Sequence, residues 1–456
     1  MKLFCGFCCA LMLLFWSLHG EGQDLFGKKI PETLKIVEEG DLSGDKPDKI
    51  KDESSPFSQA KFVPDISLIV DFGYVYRNLR GETFERTVLP GLVHSQEEEK
   101  EHGHEHAGMN QKNGFNLNYA ELVLAAPVDP YFDLFAACHL SEEGFELEEG
   151  YFSTKSLPGG FQVRGGKFLS AFGRLNEQHA HLWDFADMPL VNRAFFGHHG
   201  LNEKGLRLTW TAPLPFYLRL GVETLQGENE ASFGSDGFRD VEGNVEVAGT
   251  RGSGLAVGFV KTSFDLGDTT MLMGVSGARG KTRVNHGIDE TGEEAHAVSG
   301  QTGIYGADLT IRYMMDSYHS LSLQGEYLYR RTDGRRYEKN ELDEISESSL
   351  KRRQSGFYAQ TVLRFAREWR AGLRYDQIHI NEMRLDGTKN EKLPCNIPRY
   401  SAMMDWSPTE FSRIRLQYNY DRSRYLETGG DFQRKENHEV ILNINLAIGA
   451  HGAHAF

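Results

Sequence analysis

The chain reads as all-β, a transmembrane antiparallel up-and-down β-barrel of about sixteen strands, on three observations. Apolar and polar residues alternate through one strand-length segment after another. Nearly every second connection between these segments is tight, and those in between are mostly long and charged. Beyond residue 22 no stretch approaches the ~18 continuous apolar residues of a membrane-spanning helix. Hydrocarbon offers backbone groups no hydrogen-bond partners, so a chain that crosses it without helices must close a sheet on itself.

Residues 1–22 carry Lys2, an apolar run from Leu3 to Leu18 and the small-x-small triplet Gly20-Glu21-Gly22, the pattern of a secretory signal peptide. Cys5, Cys8 and Cys9 belong to it. Of the other cysteines, Cys138 falls on a lipid face and Cys395 in an outer loop, so no disulfide is expected. Residues 23–62 are polar and interrupted by Pro31, Pro47 and Pro56, which reads as a disordered periplasmic leader. Within it, Glu32-Thr33-Leu34-Lys35-Ile36-Val37 resembles the acidic-Thr-apolar box of TonB-dependent receptors, which makes TonB a candidate partner.

The barrel is assigned to residues 63–456. From Pro64 onward Ile66, Leu68, Val70, Phe72, Tyr74 and Tyr76 share one face, with Ser67, Asp71 and Gly73 on the other. Further strands are expected over 114–126, 131–140, 143–153, 160–168, 204–212, 216–225, 253–264, 269–279, 303–314, 319–330, 354–366, 368–379, 399–407, 410–422 and 438–450. Tight turns fall at Pro127-Val128-Asp129-Pro130, Leu157-Pro158-Gly159, Ala212-Pro213-Leu214-Pro215, Asp265-Leu266-Gly267-Asp268, Asp316-Ser317 and Pro408-Thr409. Short periplasmic turns alternating with longer outer loops are the asymmetry of bacterial outer-membrane barrels, and an even strand count returns both ends to the periplasm. In the last strand Val440, Leu442, Ile444, Leu446 and Ile448 alternate with Asn443, Asn445, Ala447 and Gly449. The terminal aromatic Phe456 resembles the signal by which such barrels reach the barrel-assembly machinery.

Composition agrees. The chain has 49 Gly, 18 Tyr and 29 Phe against 14 Pro, which suits strands and aromatic girdles. A mean hydropathy of -0.47 is compatible with a barrel because only alternate strand residues meet lipid. A net charge of -15 argues against nucleic acid as a partner.

The same alternation sorts charges inward. Segment 354–366 sends Phe357, Ala359, Thr361, Leu363 and Phe365 to lipid, and segment 410–422 sends Ile414, Leu416, Tyr418 and Tyr420 there, leaving Arg413, Arg415, Gln417 and Asn419 inside. Elsewhere the inward faces supply Arg164, Arg207, Arg219, Arg312, Arg364, Arg370 and Arg374 against Glu146, Glu148, Glu223, Asp308, Glu326 and Asp376. Two readings stand: cross-strand pairs that hold the wall, or a field that selects among ions.

Histidines gather in two outer loops. In the first, His94, His102, His104 and His106 stand among Glu97, Glu98, Glu99, Glu101 and Glu105, a nitrogen and oxygen donor set suited to weak, exchangeable Zn, Cu or Ni binding, or simply a solvated acidic loop. The second, 169–202, holds His179, His181, His198 and His199 with Trp183, Phe185, Leu190, Phe195 and Phe196. So much apolar surface is unfavourable in open water. By analogy with sixteen-stranded porins this third loop enters the lumen and narrows it, placing Asp184, Asp187 and Arg193 near the constriction; the other reading packs it over the barrel mouth with its histidines hydrogen-bonded.

A string of motifs carries a family likeness: Pro64-Asp65-Ile66-Ser67-Leu68, Ala126-Pro127-Val128-Asp129-Pro130-Tyr131, Glu148-Glu149-Gly150-Tyr151, Arg164-Gly165-Gly166-Lys167-Phe168, Phe172-Gly173-Arg174-Leu175-Asn176, His179-Ala180-His181, Gly200-Leu201-Asn202 with Trp210, and the ending Gly449-Ala450-His451-Gly452-Ala453-His454. In these the chain resembles a porin-like bacterial outer-membrane family often labelled zinc-regulated TonB-dependent outer-membrane receptor. The resemblance implies a barrel produced under zinc control that moves zinc or a zinc chelate. The leader is too short for the plug that fills a ~22-stranded TonB-dependent receptor, so the barrel is expected and plug-gated transport is not.

The expected function is a channel for small solutes linked to zinc or another divalent metal. A surface metal-binding receptor with a closed, TonB-coupled barrel is the alternative. An outer-membrane hydrolase is a third; no G-x-S-x-G or H-E-x-x-H motif supports it, and no enzyme is expected. No cofactor is required, Zn2+ entering as cargo or a loosely held ion. The partners are outer-membrane lipid and, by analogy, two further copies in a homotrimer.

Overall fold

A computed structural model describes residues 64–79, 81–90, 109–110, 112–141, 144–229, 231–235, 237–239, 245–250, 254–286, 296–339, 345–428 and 431–449. Residues 1–62, where a signal peptide and a leader with the Glu32 to Val37 box are expected, the first-loop histidines His94, His102, His104 and His106, and Phe456 lie outside them.

Sixteen strands form the wall. They are β1 (Asp65–Arg77), β2 (Gly114–Pro127), β3 (Phe132–Ser141), β4 (Gly144–Thr154), β5 (Phe161–Leu169), β6 (Asn202–Thr211), β7 (Tyr217–Leu225) and β8 (Leu255–Leu266). Then follow β9 (Thr269–His286), β10 (His296–Met314), β11 (Ser320–Lys339), β12 (Ile345–Ala366), β13 (Trp369–Leu385), β14 (Ile397–Thr409), β15 (Ser412–Thr428) and β16 (Asp431–Gly449). Each pairs antiparallel with its neighbours, and β1 pairs with β16 to close the cylinder. At the seam Phe72 stands opposite Ile444 and Tyr74 opposite Leu442, while Asp71 stands opposite Asn445. Asn443 and Asn445 both donate to the Asp71 carboxylate, at 2.7 and 3.2 Å. A one-residue slip would turn that buried carboxylate into lipid, so the lumen-side bonds pin the register.

Ile66, Leu206, Val222, Leu373, Leu416 and Ile448 point outward and are exposed, as lipid-facing side chains should be. Ser67, Asp71, Arg207, Glu223, Arg415 and Asn443 are buried on the inner face. A closed antiparallel barrel with that division places the protein in a bacterial outer membrane.

Strand ends at the tight turns fall within two residues of the expected positions. The opposite ends agree as closely from β2 to β8, and most of them diverge from β9 onward. Segment 319–330 is only the first part of β11, 354–366 only the last part of β12, and β16 begins at Asp431 rather than 438. The extra residues, such as Arg331-Thr332-Asp333-Gly334-Arg335, are polar on both faces and so look like loop. A backbone ladder needs no apolar side chains, and beyond the bilayer neither face meets lipid, so pairing continues.

Candidate functional site

The third outer connection, residues 170–201, turns into the barrel. It contains a single 3-10 turn (Ala180–Leu182) and one short α-helix, α1 (Leu190–Phe196), capped by Gly197, whose φ of 75° suits a residue without Cβ. Phe172, Leu190, Val191, Phe195 and Phe196 are buried against the inward residues Leu255, Ile304, Leu328, Tyr358 and Ile378 of the wall. Phe185 packs with Val362 and Met403, Ala186 with Val75 and Ile441, and Ala180 beside Ile69 and Tyr119. The apolar content of this loop is thus satisfied inside the lumen, against strands on opposite sides, and not over the mouth.

Polar contacts hold it at many points. Ala171 N–H donates to Glu223 at 2.9 Å, and Leu175 N–H to Glu326 at 2.8 Å. Leu190 N–H, at the start of α1, donates to Asp376 at 3.0 Å. Glu177 pairs with Lys261 and lies 3.6 and 3.8 Å from Arg207 and Arg219. Arg370 bridges Asp184 (3.0 Å) and Asp405. Asp187 receives Arg374 at 2.8 Å, Arg399 at 2.7 Å and Gln417 at 2.6 Å. Burial alone would raise the Asp187 carboxyl, but Arg374 and Arg399 hold it below its ordinary value. Arg413 and Arg415 donate to the carbonyls of His181 and Trp183, at 2.7 and 3.0 Å. Arg193 sits half-buried on α1.

These contacts revise the reading of the inward charges. Arg207, Glu223, Glu326, Arg374, Arg413 and Arg415 lie buried beneath the loop and bind it or its immediate partners, so they form its cradle and do not line an open pore. Arg164 is stacked over the Tyr151 ring at 3.9 Å, and Glu146 lies 3.5 Å from Lys167. Asp308 is buried beside the cradle. Arg312 and Arg364, close to the periplasmic turns, remain half-buried on the inner face.

A second junction joins the loop to β2, β3 and β4. Glu121 and His139 are directly opposite on β2 and β3. Between β3 and β4 the register slips, Ala137 facing Glu149 and Cys138 facing Leu147, so Glu148 is the extra residue of a β-bulge. The bulge turns Glu148 and Glu149 inward together, where strict alternation would send one to lipid. The loop lowers His179 and His181 onto these carboxylates. His179 Nε2 faces Glu149 Oε2 at 2.8 Å, while its Nδ1 faces Glu121 Oε1 at 3.1 Å and Glu148 Oε2 at 3.2 Å. His181 Nδ1 lies 3.1 Å from Glu121 Oε2, and His139 Nε2 lies 2.9 Å from Glu148 Oε2. Tyr119 stacks on His139 with centroids 5.1 Å apart. Burial, which alone would lower the His179 imidazole, is outweighed by Glu121, Glu148 and Glu149, which hold it well above its ordinary value.

The loop's four histidines are therefore split. His179 and His181 enter the junction, whereas His198 and His199 are exposed beyond α1 and belong to no metal-ligating group among the described residues. Glu121, His139 and Glu149 escaped the sequence reading. A lone glutamate inside the apolar run YAELVLAAP was the available signal for Glu121; for Glu149 there was none, because only the bulge brings it inward. Cys138 is buried and Cys395 exposed, both free.

No protein-family model matches the chain. An uncharacterized protein of Aquifex aeolicus (strain VF5) is 51% identical over 402 residues, spanning 88% of this chain and 82% of that protein. Solved structures with similar barrels include OmpT of Vibrio cholerae (9% identity, 86% of this chain and 99% of that one, TM-score 0.47). Others are the outer membrane channel DcaP of Acinetobacter baumannii (10%, 86% and 99%, 0.46) and an anion-selective porin from Comamonas acidovorans (10%, 85% and 99%, 0.48). None of these is described as zinc-regulated or TonB-dependent.

Proposed function

This chain belongs to the same family as the Aquifex aeolicus protein, and we propose for it a porin-like channel of the outer membrane that passes small solutes, divalent metal ions among them, past an inserted loop. The observation that carries the reading is the third loop held inside a closed sixteen-strand barrel by charged groups of both signs. Narrowing a wide barrel with one tethered loop selects by size, and the charges left on the inner face select by sign. The metal part rests on the sequence of the first outer loop, where His94, His102, His104 and His106 stand among Glu97, Glu98, Glu99, Glu101 and Glu105. No catalytic role is assigned.

Purified protein in planar bilayers should give ohmic channels, and deletion of residues 176–198 should raise their conductance. Absence of conductance in both forms overturns the channel. A second reading, a barrel that stays shut and serves as a surface metal receptor, draws on the loop's contacts with strands on opposite sides of the lumen. It expects no current until the loop is deleted. TonB engagement through the leader and assembly as a homotrimer go with the two readings as proposals, tested by leader–TonB binding and by chemical crosslinking in detergent.

A further inference from the structure

We propose that Glu121, His179 and His181, with His139 and Glu148 beside them, form a site for one divalent first-row transition-metal ion, which latches the third loop to the wall at β2–β4. The ion would be resident, not cargo, and the latch holds whether or not the barrel conducts.

The donor set is the first reason. Imidazole nitrogen and carboxylate oxygen are the ligands of zinc-class ions, and the donor atoms of Glu121, His179 and His181, like those of Glu121, His139 and Glu148, lie within 4.8 Å of one another. Glu121 is common to both groups and is only 1% exposed.

The second reason is independent of composition. Glu121 Oε1, Glu148 Oε2 and His179 Nδ1 are buried and none has hydrogen-bond geometry to a partner, although the nitrogen stands 3.1 and 3.2 Å from the two oxygens. A hydrogen-bonded pair aims its proton along the line between the two atoms. Atoms that approach closely without that alignment point instead at a shared space. Ligands ~2.0–2.2 Å from a tetrahedral ion stand roughly 3.3–3.6 Å from one another, close to the 3.1 and 3.2 Å at which the nitrogen stands from each oxygen.

The surroundings complete the pattern. His179 presents Nδ1 to the cluster and Nε2 to Glu149, the carboxylate–imidazole arrangement that orients a metal-bound histidine. Glu149 is itself fixed by the Leu169 N–H at 2.7 Å. Metal binding requires neutral imidazoles, and in that state Glu121, Glu148 and Glu149 carry negative charge that a divalent cation offsets. His139 and Glu148, the least buried members, leave a way in for the ion.

The test uses the full chain in detergent micelles, with His94→Gln, His102→Gln, His104→Gln and His106→Gln to silence the first loop. Calorimetric titration with ZnCl2 should show one equivalent bound at micromolar or tighter affinity. Glu121→Gln or His179→Gln in that background should weaken binding by about 100-fold or more, and Glu149→Gln by about 10–100-fold. His139→Gln, which leaves the loop ligands in place, serves if either central variant fails to fold. Zn2+ should also slow amide exchange across residues 176–182, an effect reversed by chelator and missing in His179→Gln. No binding in the silenced background, or binding indifferent to these substitutions, overturns the site. Neither readout uses ion flow, so a barrel that binds Zn2+ here and never conducts would overturn the channel alone.

Discussion

The third loop is held at two junctions built from different chemistry. Toward β13–β15, Arg370, Arg374, Arg399 and Arg415 meet Asp184, Asp187, Asp376 and Asp405. Guanidinium groups keep their charge at any pH the outer membrane meets. Toward β2–β4, His139, His179 and His181 meet Glu121, Glu148 and Glu149. Imidazole changes charge near neutrality and binds metals. One loop is thus tied on one side by groups that exchange nothing and on the other by groups that exchange protons or ions. The first side is suited to act as a hinge and the second as a release.

The most severe way to break this contrast is to remove what both junctions share. Phe195, 0% exposed in the apolar core between them, should cost about 3–5 kcal/mol on Phe195→Ala and free the loop at both junctions together. Amide exchange along 170–201 would show this, and release confined to one side would mean the two are not mechanically connected. Asp187→Ala comes next, at roughly 3 kcal/mol, the low end for breaking a buried charge pair, because Arg374 and Arg399 lose one of two shared carboxylates and keep Asp376. It should raise conductance in bilayers, and chelator should raise it further, since the β2–β4 junction is then the tether that remains.

Acid tests the same residue without substitution. A carboxyl held low by folding stabilises fully above its ordinary value of about 3.9 and loses that contribution as pH falls through its lower folded value. Conductance should therefore stay level from neutral pH to about pH 4 on account of Asp187 and change below it; a change on the alkaline side of neutrality would assign the transition to the imidazole side, where His179 is held well above its ordinary value. Glu121→Gln in chelator-treated protein is expected to cost less, about 1–3 kcal/mol, by weakening the pairing of His179 and His181. At the bottom of the scale, His198→Gln with His199→Gln should stay within about 0.5 kcal/mol of the parent in thermal unfolding, because both are exposed and outside the junction.

Much of this was legible beforehand. The outward set Leu416, Tyr418 and the inward set Arg413, Arg415, Gln417 on β15 follow from alternation alone, and so does the pairing of tight and long connections. The burial of Phe185, Phe195 and Phe196 followed from placing too many rings in one loop. What those inward charges do was not legible: Arg374 reads the same whether it faces water or Asp187. Nor was Glu149, since a bulge is one unpaired residue in a ladder and leaves no mark on composition.

Alternation, turn residues and the absence of an apolar helix determined by themselves that this chain makes a barrel, roughly where its strands turn, and which face of each meets lipid. These are local properties, set by side-chain direction along one strand and by the solvent on either side of it. Only the tertiary structure decided that the lumen charges serve the inserted loop, that polar strands continue past the membrane, and that Glu121, His139, Glu148, Glu149, His179 and His181 meet. Such meetings join residues distant along the chain through the register of several strands and one bulge, and no local preference encodes the sum of those offsets.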